Sequence, residues 1–141
     1  MNEFEKCISK GLLRKIASSP EKAKQSLVKS GKWLEEARKN FASESFDSCL
    51  VSAYTSMFHA ARAILIRDGF REKSHYCVAR YVEEKYMKAK KLEEKWINLL
   101  DRYRDLRHED QYDVNFFATE ADARNSLEFA EKFLERMRKL L

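Results

Sequence analysis

Glycine and proline are scarce in this chain, 3 and 1 of 141 residues, where the two together usually make up about 12%. Sheet proteins turn on these residues, so an all-β fold is excluded at the outset. Gly11, Gly31 and Gly69 stand alone, and without clustered glycines neither a Walker loop nor a dinucleotide fingerprint can be written. Collagen and low-complexity chains fall for the same reason. No stretch approaches the roughly 20 apolar residues of a membrane span. The first residues, Met1-Asn2-Glu3-Phe4-Glu5-Lys6, lack the apolar run of a signal peptide. Cys7, Cys49 and Cys77 are odd in number and far apart, which does not fit a disulfide scaffold. Two of them lie in apolar-patterned segments, where a free thiol acts as a small hydrophobe. The expectation is three free thiols in a reducing cytoplasm.

What is abundant is charge. Asp, Glu, Lys and Arg make up 36% of the chain, with a net charge of +5, while 44% hydrophobic residues are too many for a disordered polypeptide. The length suits one domain over residues 1–141. There is no internal repeat, linker or break in composition. Residues 1–18 read as a weakly ordered or short helical segment, with a weak helix over 3–16.

The rest is a run of helices. Ser19 caps a helix that has Pro20 at its first position, and Ala23, Leu27, Ser30, Leu34, Ala37 and Phe41 recur along one stripe. Ser43 or Ser45 caps the next, which runs to Asp68 and stops at Gly69. It is apolar on more than one face and should be the central helix, with Ala53, Ala60 and Ala61 allowing close approach. Ser74 caps a helix over 75–89, with Val78, Tyr81, Val82 and Tyr86 inward. A helix over 91–109 turns Trp96, Leu99, Tyr103 and Leu106 to the core. Thr119 and Asp122 form a capping box for a last helix striped by Leu127, Ala130, Leu134, Met137 and Leu141. No segment alternates with period two. The fold class is all-α: an up-and-down antiparallel bundle of four to five main helices joined by short connections.

Chemistry concentrates at the end of the helix before last. Arg104, Arg107 and His108 share a face at helical spacing, flanked by Asp105, Glu109 and Asp110. Guanidiniums offer a phosphodiester paired donors, and an imidazole exchanges protons near neutrality. The plainer reading is a solvated, self-paired charged face. His59, in an apolar helix, fits a core or interface histidine, and His75 fits a helix cap. Glu72-Lys73-Ser74-His75 spells Glu-x-x-His once, where di-iron bundles need it twice, so no metal is expected. There is no Cys-x-x-Cys and no Gly-x-Ser-x-Gly, and no cofactor is expected.

The stretch Tyr54-Thr55-Ser56-Met57-Phe58-His59-Ala60-Ala61-Arg62-Ala63-Ile64-Leu65, followed by Gly69 and Lys73-Ser74-His75, resembles the central helix and following turn of HEPN domains. The likeness is nearest to small stand-alone prokaryotic HEPN proteins and covers roughly residues 20–141. It implies a helical bundle, commonly a homodimer. Many members are metal-independent endoribonucleases, and several are toxins beside a nucleotidyltransferase antitoxin. Their signature is Arg, four to six residues, then His. Arg102 to His108 satisfies that spacing. Arg107 to Tyr112 is the competing frame, in which Tyr112 stands at the histidine position and Gln111 replaces the Asp that precedes it. The resemblance thus implies His108 as acid–base group, Arg107 and Arg102 as catalytic partners, and Arg104, Tyr112 and Asp110 around the substrate. RNA supplies its own nucleophile, the 2′-hydroxyl. The alternatives are a non-catalytic module that binds nucleotide, nucleic acid or a protein partner, and a purely structural helical dimer.

Overall fold

The computed structural model covers residues 1–141. Helix α1 (Glu3–Ser9) leads into strand β1 (Leu13–Lys15). Two long helices follow, α2 (Pro20–Ala42) and α3 (Phe46–Asp68), then strand β2 (Phe70–Glu72) and helix α4 (His75–Val82), which ends in a π-helical turn (Glu83–Met87). Helices α5 (Glu94–Tyr112) and α6 (Glu120–Leu140) complete an all-α bundle.

The helix starts follow their local chemistry. Ser19 accepts the backbone N–H of Lys22 with Pro20 at the first position of α2. Thr119 and Asp122 close a reciprocal capping box on α6. Asn2 and Glu5 do the same for α1. Ser45 and Ser74 occupy N-cap positions, but neither hydroxyl bonds to its helix.

Helix α3 is the axis of the molecule. Thirteen of its residues are buried, from Cys49 and Leu50 at one end to Ile64 and Leu65 at the other. Its most apolar 18 residues have a mean hydropathy of 1.3, enough for a membrane span, yet 72% of them are buried within the protein. The seam with α2 is built from small residues. Ser30 Oγ donates to the Ser56 carbonyl at 2.7 Å, Ser56 Oγ donates back to the Ser30 carbonyl at 2.8 Å, and Ser26 Oγ donates to the His59 carbonyl at 2.8 Å. Larger side chains would hold the backbones too far apart for these bonds. Each buried hydroxyl is thus paired, as burial requires.

Three local expectations are corrected. The chain after α1 does not continue as helix: β1 pairs antiparallel with β2, Leu13 opposite Glu72 and Lys15 opposite Phe70. The pairing extends through Ile16 N–H to the Gly69 carbonyl and Lys73 N–H to the Leu12 carbonyl, both 2.9 Å. Gly69 ends α3 at φ +87°, and a Cβ there would meet the Ile16 carbonyl oxygen at 2.9 Å, so the ribbon needs glycine twice over. In α5 the buried face is Ile97, Leu100 and Tyr103, while Trp96, Leu99 and Leu106 are only half-buried. The helix is therefore turned by about one residue from the expected stripe. On α6, Leu141 is 38% exposed and falls outside the stripe.

The cysteine reading is corrected as well. Cys7 and Cys77 form a disulfide with their Cα atoms 5.9 Å apart, and Cys49 alone is a free, buried thiol. The bond pins α1 to α4. Tyr81 stacks obliquely on Phe4, with ring centroids 6.2 Å apart. Asp68 then fastens the far end of α4: the Tyr81 and Tyr86 hydroxyls both donate to its Oδ2, at 3.0 and 2.6 Å. Arg67 donates to the Tyr86 hydroxyl at 2.6 Å and to the Leu140 carbonyl at 2.7 Å, tying in the C-terminus of α6.

Candidate functional site

Three elements bring side chains together beside the middle of α3. From α3 come Tyr54, Phe58 and Arg62, one helical turn apart in sequence. From the start of α4 comes His75, held out to solvent. From α5 come Asp101, Arg104 and Arg107, whose three-residue spacing puts them on one face.

His75 is the centre. Its ring stacks on Phe58, centroids 4.0 Å apart and planes within 13°. Its Nδ1 lies 2.8 Å from the Tyr54 hydroxyl and 3.5 Å from Arg107 Nη2. The Arg107 guanidinium in turn covers the Tyr54 ring at 4.9 Å. Burial pushes the Tyr54 hydroxyl up to about 12, so it keeps its proton. Tyr54 and Arg107 therefore both face Nδ1, and Nε2 has no protein partner. The His75 imidazole is held below its ordinary pKa, first by partial loss of water and then by the positive charges of Arg107, Arg104 and Arg62. The N-terminal end of α4 adds to the same field. The ring is a neutral base in a cationic setting.

The arginines around it are held unequally. Asp101 accepts from Arg80 and Arg104, 2.6 Å each, and the Tyr76 ring lies between those two guanidiniums at 4.7 and 5.2 Å. Arg62 pairs with the buried carboxylate of Glu72 at 2.7 Å. Glu72 and His75, the ends of the Glu-x-x-His run, thus have separate partners, and no three His, Cys, Asp or Glu side chains converge as a metal site. Arg107 differs from its neighbours. It donates to Gln111 Oε1 at 3.1 Å and has no carboxylate partner, whereas Arg62, Arg80 and Arg104 each have one; its Nε, like those of Arg62 and Arg80, is buried with no acceptor. A buried guanidinium N–H without a partner is a place for an anion.

The six residues singled out from the sequence separate. Arg104 and Arg107 join the His75 cluster. Arg102 is exposed, with its guanidinium 5.9 Å from the Tyr103 ring. His108 is exposed beside the Tyr112 ring at 4.8 Å. At about 100° per residue, Arg102 and His108 project roughly 120° apart around α5, so the two cannot grip one phosphate within one chain. Asp110 lies at a small cleft of about 350 Å³ between the start of α3 and the end of α5. Its carboxyl is pushed up to about 7, by burial first and then by the neighbouring Asp47. Asp47 Oδ1 accepts the Ala118 backbone N–H at 2.7 Å. Tyr112 is 66% exposed.

In the sequence Tyr54 carries no functional signal of its own, and His75 reads only as a helix cap. The signal that marks both is the Tyr54–Leu65 stretch joined to Lys73-Ser74-His75. His59, expected as a core or interface histidine, is half-buried and edge-on to Phe58 at 5.3 Å. Burial and the charges of Arg62 and Lys29 bring its pKa down to about 4.

Two comparisons place the chain among known proteins. The model of the HEPN domain matches residues 23–140. A UPF0332 protein of Archaeoglobus fulgidus is 30% identical over 108 residues, which is 77% of this chain and 86% of that protein.

Proposed function

The chain belongs to the HEPN domain family, and from that premise we propose that it is a metal-independent endoribonuclease whose reacting group is His75. The observation that carries this reading is the pairing of an exposed imidazole, held below its ordinary pKa, with an arginine that has no carboxylate partner.

The chemistry follows from the side chains. A phosphate oxygen accepts from Arg107, with Arg104 adding positive charge. Drawn onto the phosphate, Arg107 releases Nδ1. In the tautomer that carries the ring proton on Nδ1, reached by proton exchange with solvent, the Tyr54 oxygen accepts from Nδ1–H and the Nε2 lone pair is free. Nε2 takes the proton of the RNA 2′-hydroxyl. The O2′–P bond forms and the P–O5′ bond breaks, giving a cyclic phosphate and a 5′-hydroxyl. The guanidiniums stabilise the charge that gathers on the phosphoryl oxygens. One imidazole per chain is one proton carrier, and the leaving oxygen takes its proton from water or from His75 of a second copy in a homodimer. An antitoxin of the nucleotidyltransferase type would act by covering this site.

The test is cleavage of labelled single-stranded RNA by purified protein with a chelator present. Cleavage is expected for RNA and not for DNA of the same sequence, and Arg107→Ala should lose at least about 100-fold in rate. Equal cleavage of DNA, or an Arg107→Ala protein as fast as wild type, would overturn the reading.

A second reading is favoured by one observation, that Nδ1 is already occupied by Tyr54. A site so held suits binding a nucleotide phosphate without turnover. It predicts no cleavage, with nucleotide or RNA affinity that falls in His75→Ala and Arg107→Ala alike.

A further inference from the structure

The β1–β2 ribbon carries cations that no carboxylate neutralises. Arg14 stands directly opposite Arg71, and like charges so placed oppose strand pairing. Lys73 continues the same face, opposite Leu12, and Lys15 lies at the edge. All four are exposed. Arg14 reaches only the Gly11 carbonyl, at 3.3 Å. None of the four is within ion-pairing distance of an acid, although thirteen ion pairs form elsewhere in the molecule. The one acid of the ribbon, Glu72, is turned inward and used by Arg62. Together with Ile16 and Glu72, whose carboxylate is taken by Arg62, the four basic residues line a cleft of about 510 Å³. Ile16 is the one large apolar side chain exposed beside them, at 41%, so the face offers charge without the apolar centre that a protein partner needs.

The ribbon also leads into the site. Lys73 is two residues of chain from His75, about 7 Å if extended. A row of cations at that spacing matches a ligand that repeats its negative charge along a strand.

We infer that the outer face of the β1–β2 ribbon, with Arg14, Arg71 and Lys73, holds the phosphodiester backbone of single-stranded RNA next to the bond presented to His75. This rests on the reading of His75 as the RNA site and extends it to the flanking nucleotides. Phosphate contacts position a strand and carry no sequence information, so the ribbon sets reach and affinity while the His75 cluster sets the chemistry. Each cation engaged by a single strand adds about 0.7 to the slope of log affinity against log salt.

The experiment is salt-dependent binding of a labelled single-stranded RNA to wild type, to Arg14→Ala/Arg71→Ala/Lys73→Ala and to His75→Ala, together with cleavage of a dinucleotide too short to reach the ribbon. The expected result for the triple variant is a salt slope smaller by about 2, at least a tenfold loss of affinity at low salt, and unchanged dinucleotide cleavage. Arg71→Gln alone should reduce the slope by about 0.7, which guards against misfolding of the triple variant. A triple variant with the wild-type slope and affinity overturns the inference, as does a wild type that binds a protein and no RNA. The two readings come apart: if RNA is bound in a ribbon-dependent way but never cut, the ribbon stands and the nuclease reading falls. If RNA is cut but the slope ignores the ribbon, the reverse holds.

Discussion

At the scale of single residues, the informative groups are those whose surroundings disagree with their ordinary chemistry. His75 is exposed yet held below its ordinary pKa, first by partial loss of water and then by the charges of Arg107, Arg104 and Arg62. Arg107 is positioned by Gln111 and Tyr54, with one donor left over. Asp110 is the clearest case for stability. Its carboxyl, raised to about 7 by burial and Asp47, keeps a proton that the unfolded chain releases near pH 4. The folded state therefore binds more protons than the unfolded one between those values, and its stability falls as pH climbs through that window. Asp110→Asn removes the ionisable group but keeps a donor toward Asp47. Thermal melts should show the variant more stable than wild type at pH 8, with the gap closing by pH 5. Parallel curves across that range would mean that the pair does not share a proton.

At the scale of elements, the sequence was most legible where local chemistry and packing agree. Ser19-Pro20, the Thr119/Asp122 box and the stop at Gly69 all lie where their residues place them. Legibility failed where a long-range partner decided the outcome. Leu13–Lys15 alternates too briefly to announce a strand, and only the distant β2 makes it one. Cys7 and Cys77 are 70 residues apart, a pairing that spacing cannot reveal. The turn of α5 by one residue has the same origin: Ile97 and Leu100 face the core because α5 meets several elements, each asking for a different stripe. The site followed this pattern. Arg104 and Arg107 were readable from helical spacing, whereas His75 gains its meaning from Tyr54 and Phe58, more than a dozen residues earlier.

The disulfide matters at this same scale, because it joins α1 to the helix that carries His75. Closing so long a loop contributes about 2–4 kcal/mol. In circular dichroism melts, the Cys7→Ala/Cys77→Ala protein should unfold roughly 10 °C below the oxidised wild type. Adding a reductant should lower the wild type toward the variant and leave the variant where it was. Coincident melts of variant and oxidised wild type would show that α1 is held by Phe4 and its other contacts alone.

At the scale of the whole molecule, a central helix shielded by its neighbours carries one wall of the site, and the shorter elements around it carry the rest. Helix α3 is bonded to α2 through buried hydroxyls and to α6 through the Arg67–Leu140 contact, so Tyr54 and Phe58 are fixed. His75 sits where the ribbon hands the chain back to a helix, and the arginines of α5 close over it. In the proposed reading the base is His75, the phosphate clamp is Arg107 with Arg104, and the cationic track is the β1–β2 ribbon, all supplied by side chains. The proposed chemistry therefore falls to His75, although His108 has the more obvious place beside an arginine in sequence. The most direct measurement is the rate of single-stranded RNA cleavage, in the presence of a chelator, by His75→Ala and His108→Ala side by side with wild type. His75→Ala should fall by at least about 100-fold while His108→Ala stays within a few fold of wild type; a slow His108→Ala protein with a fully active His75→Ala protein would contradict it.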